Sequence, residues 1–286
     1  MHEQQLTLEH RALVQEALKT NGVPLSEYSF TNLYLFRDVH KYTIVQDGPC
    51  AFIKGETRDG HPYAMPLCDL GCFDMEKIRR TAEAVGTIFP VMERDLEHFD
   101  PAVFEWSHNI DDSDYLFTVE KMATFPGRHL HKKRNLLKQF LETYSWRVEP
   151  LTADRVAEAM SVLNEWQRGT GAEPSASDYY SCAEALTDMP GFILTGELTY
   201  VDDKPVGFLL GEQITRDTYA LHFAKGITRY KGLYQFMYNH FAKGLEGTCE
   251  WINFEQDLGI QALRQAKESY VPDLMEHKYR VRLRKS

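Results

Sequence analysis

Apolar residues alternate with polar ones along several stretches of this chain and recur every three to four residues along others. The switch between these two periods marks out its elements. A first amphipathic helix is predicted over residues 6–18, stopped by Asn21-Gly22 and Pro24. Ser29 or Thr31 is placed to cap a short helix over residues 33–36. Strand patterns follow at residues 42–45, 50–54 and 63–67. Asp74 then caps a helix with Met75, Ile78, Ala82 and Val85 on one face, and further strands are predicted at residues 87–92 and 115–121. A helix over residues 130–144 carries an apolar stripe (Leu130, Leu137, Phe140, Leu141, Tyr144) beside a basic one (His131, Arg134, Lys138). It is expected to bridge two halves.

The second half starts near residues 146–151, with a helix over 154–166 and a polar loop over 169–177. Strand patterns at 192–200, 205–214 and 218–225 are joined by Asp202-Asp203 and Arg216-Asp217, the short turns of an antiparallel meander. A helix over 233–245, a strand over 250–255, a helix over 258–270 and a strand over 279–284 complete the chain. Helix, three-stranded meander, helix, strand, helix, strand is the order of the Gcn5-related N-acetyltransferase (GNAT) fold, and the first half repeats it in blurred form. The expected fold class is α/β (α+β): two tandem GNAT-like domains, residues 1–145 and 146–286, with mixed, mostly antiparallel sheets flanked by helices. No short repeat or low-complexity tract points to a solenoid or propeller.

Composition adjusts this picture in few places. At 286 residues the chain suits two domains of about 100–150 residues. Its 43% hydrophobic and 26% charged content is ordinary for a packed globular protein. Fifteen tyrosines suit half-buried sheet faces as well as pocket walls. The net charge of −10 argues against a general attraction to phosphate, yet the charge is uneven. Residues 93–114 hold eight acidic residues against Arg94 alone, whereas residues 129–138 hold four Lys/Arg, two His and no acid. The C-terminal residues 278–285 are basic again. Five scattered cysteines (Cys50, Cys68, Cys72, Cys182, Cys249) offer no second pair to complete a zinc site and point to reduced thiols. His129 and His131 lack a nearby carboxylate, so no metal is expected. No signal peptide and no stretch near the roughly 20 apolar residues of a bilayer span is seen, which predicts a cytoplasmic protein.

Three blocks carry a family resemblance. Residues 29–36 (SFTNLYLF), residues 127–136 (GRHLHKKRNL), and residues 253–259 with 263–270 (NFEQDLG, LRQAKESY) resemble the start, central helix and C-terminal signature of the phosphatidylglycerol lysyltransferase C-terminal domain family. Together they span roughly residues 25–284. The resemblance implies tandem acyltransferase-fold domains, related to the Fem-type peptidyltransferases that use aminoacyl-tRNA. Acyl-coenzyme A or aminoacyl-tRNA is then the implied donor, and a small molecule or peptide the acceptor, with tRNA a partner in the second case. The membrane segments of lipid lysyltransferases are missing from this sequence.

Candidate residues follow. Arg229, Lys231, Gly232 and Leu233 stand where the GNAT fold binds pyrophosphate through helix N-terminal N–H groups. Tyr234 replaces the small residue usual there, and a loop that merely caps a helix fits equally well. Lys132, Lys133, Arg134 and Asn135 are placed to clamp a phosphate or a tRNA acceptor stem, while Arg134 can instead pair with the acidic residues 93–114. Asn253 and Glu255 are expected on one face of a strand, where a carboxylate can take a proton from a nucleophile; Asp257 reads as a helix cap. Tyr270 is either a general acid or the apolar end of a helical stripe. His222, beside Ala220 and Ala224, and Lys267 are the remaining substrate-binding candidates. The reading is an acyl- or aminoacyl-transferase, with a non-catalytic metabolite- or nucleotide-binding module as the alternative.

Overall fold

Two strand–helix–strand crossovers organise the chain. The computed structural model describes residues 2–19, 22–47, 50–72 and 74–285. In order, the elements are β1 (His2–Gln5), α1 (Arg11–Lys19), α2 (Phe30–Leu35), α3 (Arg37–His40), β2 (Thr43–Asp47), β3 (Cys50–Glu56), β4 (Pro62–Pro66), α4 (Met75–Val85), β5 (Ile88–Val91) and β6 (Phe104–His108). They continue with β7 (Asp114–Thr118), α5 (Val119–Thr124), α6 (His131–Thr143), β8 (Trp146–Pro150), α7 (Val156–Thr170) and α8 (Tyr179–Thr187). The chain closes with β9 (Thr195–Val201), β10 (Lys204–Gln213), β11 (Thr218–Gly226), α9 (Leu233–Leu245), β12 (Trp251–Asn253), α10 (Gln261–Glu268), β13 (Leu274–Glu276) and β14 (Tyr279–Leu283).

Contacts divide the chain into two units: residues 1–115, 256–264 and 275–286, and residues 116–255 and 265–274. In the first, Ser29 caps α2 by accepting from the Asn32 N–H at 3.1 Å, so Ser29 and not Thr31 starts that helix. The sheet runs β1-β2-β3-β4-β5-β14-β6, antiparallel except where β4 and β5 run parallel through the α4 crossover. Ile78 and Ala82, from the predicted apolar face of α4, pack with Val45, Phe52, Ile88 and Val281 in a buried cluster. Each Val, Ile or Phe among them contributes about 1.5–3 kcal/mol by leaving water, and Ala82 less.

In the second unit the sheet runs β13-β7-β12-β11-β10-β9-β8. The predicted meander is β9–β10–β11, and its first turn places Asp202 and Asp203 both at positive φ (48° and 60°), as a tight hairpin requires. β11 and β12 run parallel through α9, which buries Leu233, Phe236, Met237 and Phe241. The order read from the sequence is present, and the fold is α/β with two mostly antiparallel, helix-flanked sheets of the tandem GNAT-like kind.

One feature departs from the expected boundary at residues 145/146. The last strand of each half joins the other half's sheet: β14 enters the first sheet beside β5, and β7 enters the second beside β12. α6 belongs wholly to the second unit instead of bridging two halves. The strand expected over residues 115–121 ends at Thr118, whose side chain caps α5. Strands β1, β6, β8 and β13 have no counterpart among the strands predicted from the sequence. Among the described residues, no helix is long and apolar enough to cross a membrane.

Candidate functional site

β11 and β12 pair only over Thr218–Ala220 and Trp251–Asn253; β11 then continues to Gly226 while β12 ends. The strand expected to carry Glu255 is therefore shorter than its pattern. Asn253, fully buried, accepts the Glu255 N–H at 2.6 Å, and Glu255 takes a left-handed φ of 61°. Alternation along β12 is thus broken. The turn nevertheless brings the Glu255 carboxylate to His222 on β11, with Oε1 2.7 Å from Nδ1. Nε2 of the same ring lies 3.1 Å from Oε1 of Glu212 on β10, just past a register shift between Leu210 and Glu212.

The His222 side chain is 1% exposed, Glu212 9% and Glu255 17%. Burial opposes a charged imidazole, but hydrogen bonds to Glu212 and Glu255, together with their charges, prevail and push His222 up to about 10. Both ring nitrogens then donate to carboxylates. Lys267, buried on α10, donates to the Glu255 carbonyl at 3.0 Å and steadies the turn. Three predicted residues from three elements meet here: His222, Glu255 and Lys267. Glu212 was missed, although an acid closing the apolar run 206–211 is a signal, since a buried carboxylate needs a partner.

Tyr270 is 4% exposed, and its hydroxyl accepts from Gln235 at 2.8 Å. Burial raises its pKa and holds the phenol proton in place. Lys133 lies 3.7 Å from the centre of the Tyr270 ring and donates to Ser269 Oγ at 2.6 Å. Arg134 instead holds the carbonyls of Phe125 and Gly127, fixing the loop before α6 and leaving the acidic residues 93–114 unengaged by it.

Lys132 and Asn135 of α6 meet Lys231, with Leu136 and Gln139, around a shallow depression of about 340 Å³. Neither Lys132 nor Lys231 pairs with a carboxylate among the described residues. Their neighbours at the start of α9 are engaged in packing. Gly232 has φ 86°, and a Cβ there would sit 2.2 Å from the Leu136 carbonyl oxygen, so only glycine lets α6 and α9 approach this closely. The Lys231 N–H donates to the Tyr144 hydroxyl at 3.2 Å. Arg229 pairs with Glu165, Leu233 is buried, and Tyr234 turns inward to accept the Gly226 N–H at 3.1 Å.

The first unit holds a charged cluster that the sequence did not announce. Lys278, fully buried, lies 2.6 Å from both Asp114 and Glu27 and donates to Gln256 at 2.7 Å. Burial, reinforced by the Asp114 charge, holds Glu27 above the usual carboxylate range despite Lys278. Asp257, also fully buried, accepts from Tyr115 at 2.6 Å and from Arg264 at 2.7 Å, and accepts the Gly259 N–H at 2.8 Å. The expected helix cap is thus the hub of a turn. Among the described residues, no group of three or more His, Cys, Asp or Glu is placed to hold a metal ion.

Comparison with known proteins is consistent with this architecture. A conserved protein of unknown function from Bacteroides thetaiotaomicron superposes with a TM-score of 0.86 at 25% identity, over 99% of each chain. The C-terminal domain of a putative lysylphosphatidylglycerol synthetase from Agrobacterium fabrum matches with a TM-score of 0.65 at 13% identity, over 98% of this chain and 93% of that one. FemX matches with a TM-score of 0.62 at 9% identity, over 99% and 98%. No curated protein matches the sequence significantly. The profile of one family covers residues 22–282, and the chain therefore belongs to the phosphatidylglycerol lysyltransferase C-terminal domain family.

Proposed function

We propose that this protein is an aminoacyl transferase whose proton-accepting centre is Glu255, held by His222 and Lys267. The observation that carries the reading is the partly open Glu255 carboxylate, hydrogen-bonded to a buried imidazolium where β11 and β12 part. An amine or hydroxyl acceptor entering that gap loses its proton to Glu255 as it attacks the donor carbonyl. The carbonyl is polarised by a backbone N–H on the edge of β11 that β12 leaves beyond Ala220, the opposite edge being paired with β10. No covalent intermediate is required, since both reactants are held side by side.

The start of α9 favours an aminoacyl-tRNA donor over acyl-coenzyme A. A pyrophosphate there would meet Gly232 backed by the Leu136 carbonyl and a Lys231 N–H already taken by Tyr144. The Lys132 and Lys231 side chains remain available for a nucleic-acid phosphate.

The test is transfer of labelled amino acid from charged bulk tRNA to a panel of amine and hydroxyl acceptors, phosphatidylglycerol among them. Glu255→Gln is expected to lower the rate about 10²–10⁴-fold in a chain that still folds, with a melting temperature reduced by the loss of one carboxylate charge beside His222. An unaltered rate in E255Q would remove Glu255 from the chemistry. Acetyl-coenzyme A is expected to leave the melting temperature unmoved, whereas saturation at 100 times Kd would add about 2.7 kcal/mol. A clear shift would return acyl-coenzyme A to the first place among donors.

A further inference from the structure

We infer that Lys133 is an acyl-accepting lysine, a covalent modification site for acyl phosphates and acyl thioesters. Its amine is half-buried against the face of Tyr270, 3.7 Å from the ring centre, and its hydrogen-bond partner is the Ser269 hydroxyl at 2.6 Å. The Ser269 hydroxyl donates its own hydrogen bond to the Ala266 carbonyl at 2.5 Å, so an Oγ lone pair faces the amine. No carboxylate among the described residues pairs with Lys133. The combination with half-burial sets it apart from its neighbours: Lys138, on the same helix, lies 3.6 Å from Glu142, and Lys132, though it too has no carboxylate partner among the described residues, is exposed to water.

A lysine withdrawn from water without an anionic partner favours its neutral form, which is the nucleophile. Burial lowers Lys133 to about 8. Tyr270 and Ser269 hold the amine but leave it reachable, because Ser269 is exposed. The neutral Nζ attacks the carbonyl carbon of an acyl phosphate or thioester. A C–N bond forms, the C–O or C–S bond breaks, phosphate or thiolate leaves with the electron pair, and the extra proton on nitrogen passes to water. The product is an amide without charge, which has lost the cation over Tyr270. This site stands whether or not the protein transfers acyl groups to an external acceptor.

The experiment exposes the full chain to acetyl phosphate and, separately, to acetyl-coenzyme A at pH about 7.5, and quantifies acetylation of each lysine by peptide mass spectrometry. Lys133 is expected to react about tenfold or more faster than Lys132 and Lys138, since an ordinary lysine near 10.4 has little free amine at that pH. Faster labelling with both reagents marks an intrinsically reactive amine, and with acetyl-coenzyme A alone an amine fed by a bound donor. Either result supports the site. Ser269→Asp, at an exposed position, puts a carboxylate beside the amine and is expected to bring Lys133 down to the rate of Lys132. Labelling of Lys133 no faster than its two neighbours, or undiminished in S269D, would overturn the inference.

Discussion

The two units share one crossover and use it differently. In the first, β4 and β5 flank aromatic packing: the Tyr42 and Tyr63 hydroxyls meet at 2.8 Å, and Tyr63 stands edge-on to Phe89 at 5.2 Å. In the second, β11 and β12 part around His222, Glu212 and Glu255. The helices that follow differ in the same sense. α4 is capped by its own Asp74 carboxylate, which accepts the Glu76 N–H at 3.0 Å, while α9 starts at Gly232 with no side-chain cap. A fold supports chemistry only where polar groups are left partly open, and the first unit has filled or capped its equivalent places.

The buried charges show the same division. Lys278 and its carboxylates are closed off and belong to the packing of the first unit, whereas the second unit's Glu255 keeps access to solvent. The largest expected effect on stability is therefore Lys278→Met. It leaves Asp114 and Glu27 buried without their cation and is expected to cost about 3–5 kcal/mol, read as a lower denaturant midpoint. A loss below about 1 kcal/mol would mean that water reaches the cluster.

Gly232→Ala comes next. The side chain would clash with the Leu136 carbonyl at a φ that L-residues avoid, for an expected loss of about 2–3 kcal/mol. A neutral result in the same denaturation assay would show that α6 can draw back from α9, reopening the loop to a phosphate ligand. Asp74→Ala is expected to cost least, about 1 kcal/mol, the usual worth of a helix cap. Calorimetry that found no loss would mean that another group satisfies the α4 N-terminus.

Much of the second unit was legible because its signals are local. The Asp202-Asp203 turn, the meander and the amphipathic α9 each depend on neighbours in sequence. Ser29, Asp74 and Thr118 act as caps through residues two or three positions on. At the candidate site, Glu255 could be named singly from its place at a strand end, His222 from its small neighbours Ala220 and Ala224, and Lys267 from a family block. Their meeting could not be read, because it rests on Glu255 leaving the strand alternation at φ 61° and on Glu212 arriving from another strand. Arg134 reads as part of a phosphate or tRNA clamp, or as a partner of the acidic residues 93–114, and instead holds two nearby carbonyls, which charge counting cannot distinguish.

The sequence by itself determined the main helices and the meander, the order of two GNAT-like halves and the family, since periodicity, turn residues and family blocks are written along the chain. Only the tertiary structure decided which sheet each closing strand enters. β7 and β14 carry patterns that fit either sheet, because a strand's alternation states which face is apolar and nothing about its neighbour. The pairing of β14 with β5, and of β7 with β12, is settled by side-chain packing between residues far apart in the chain.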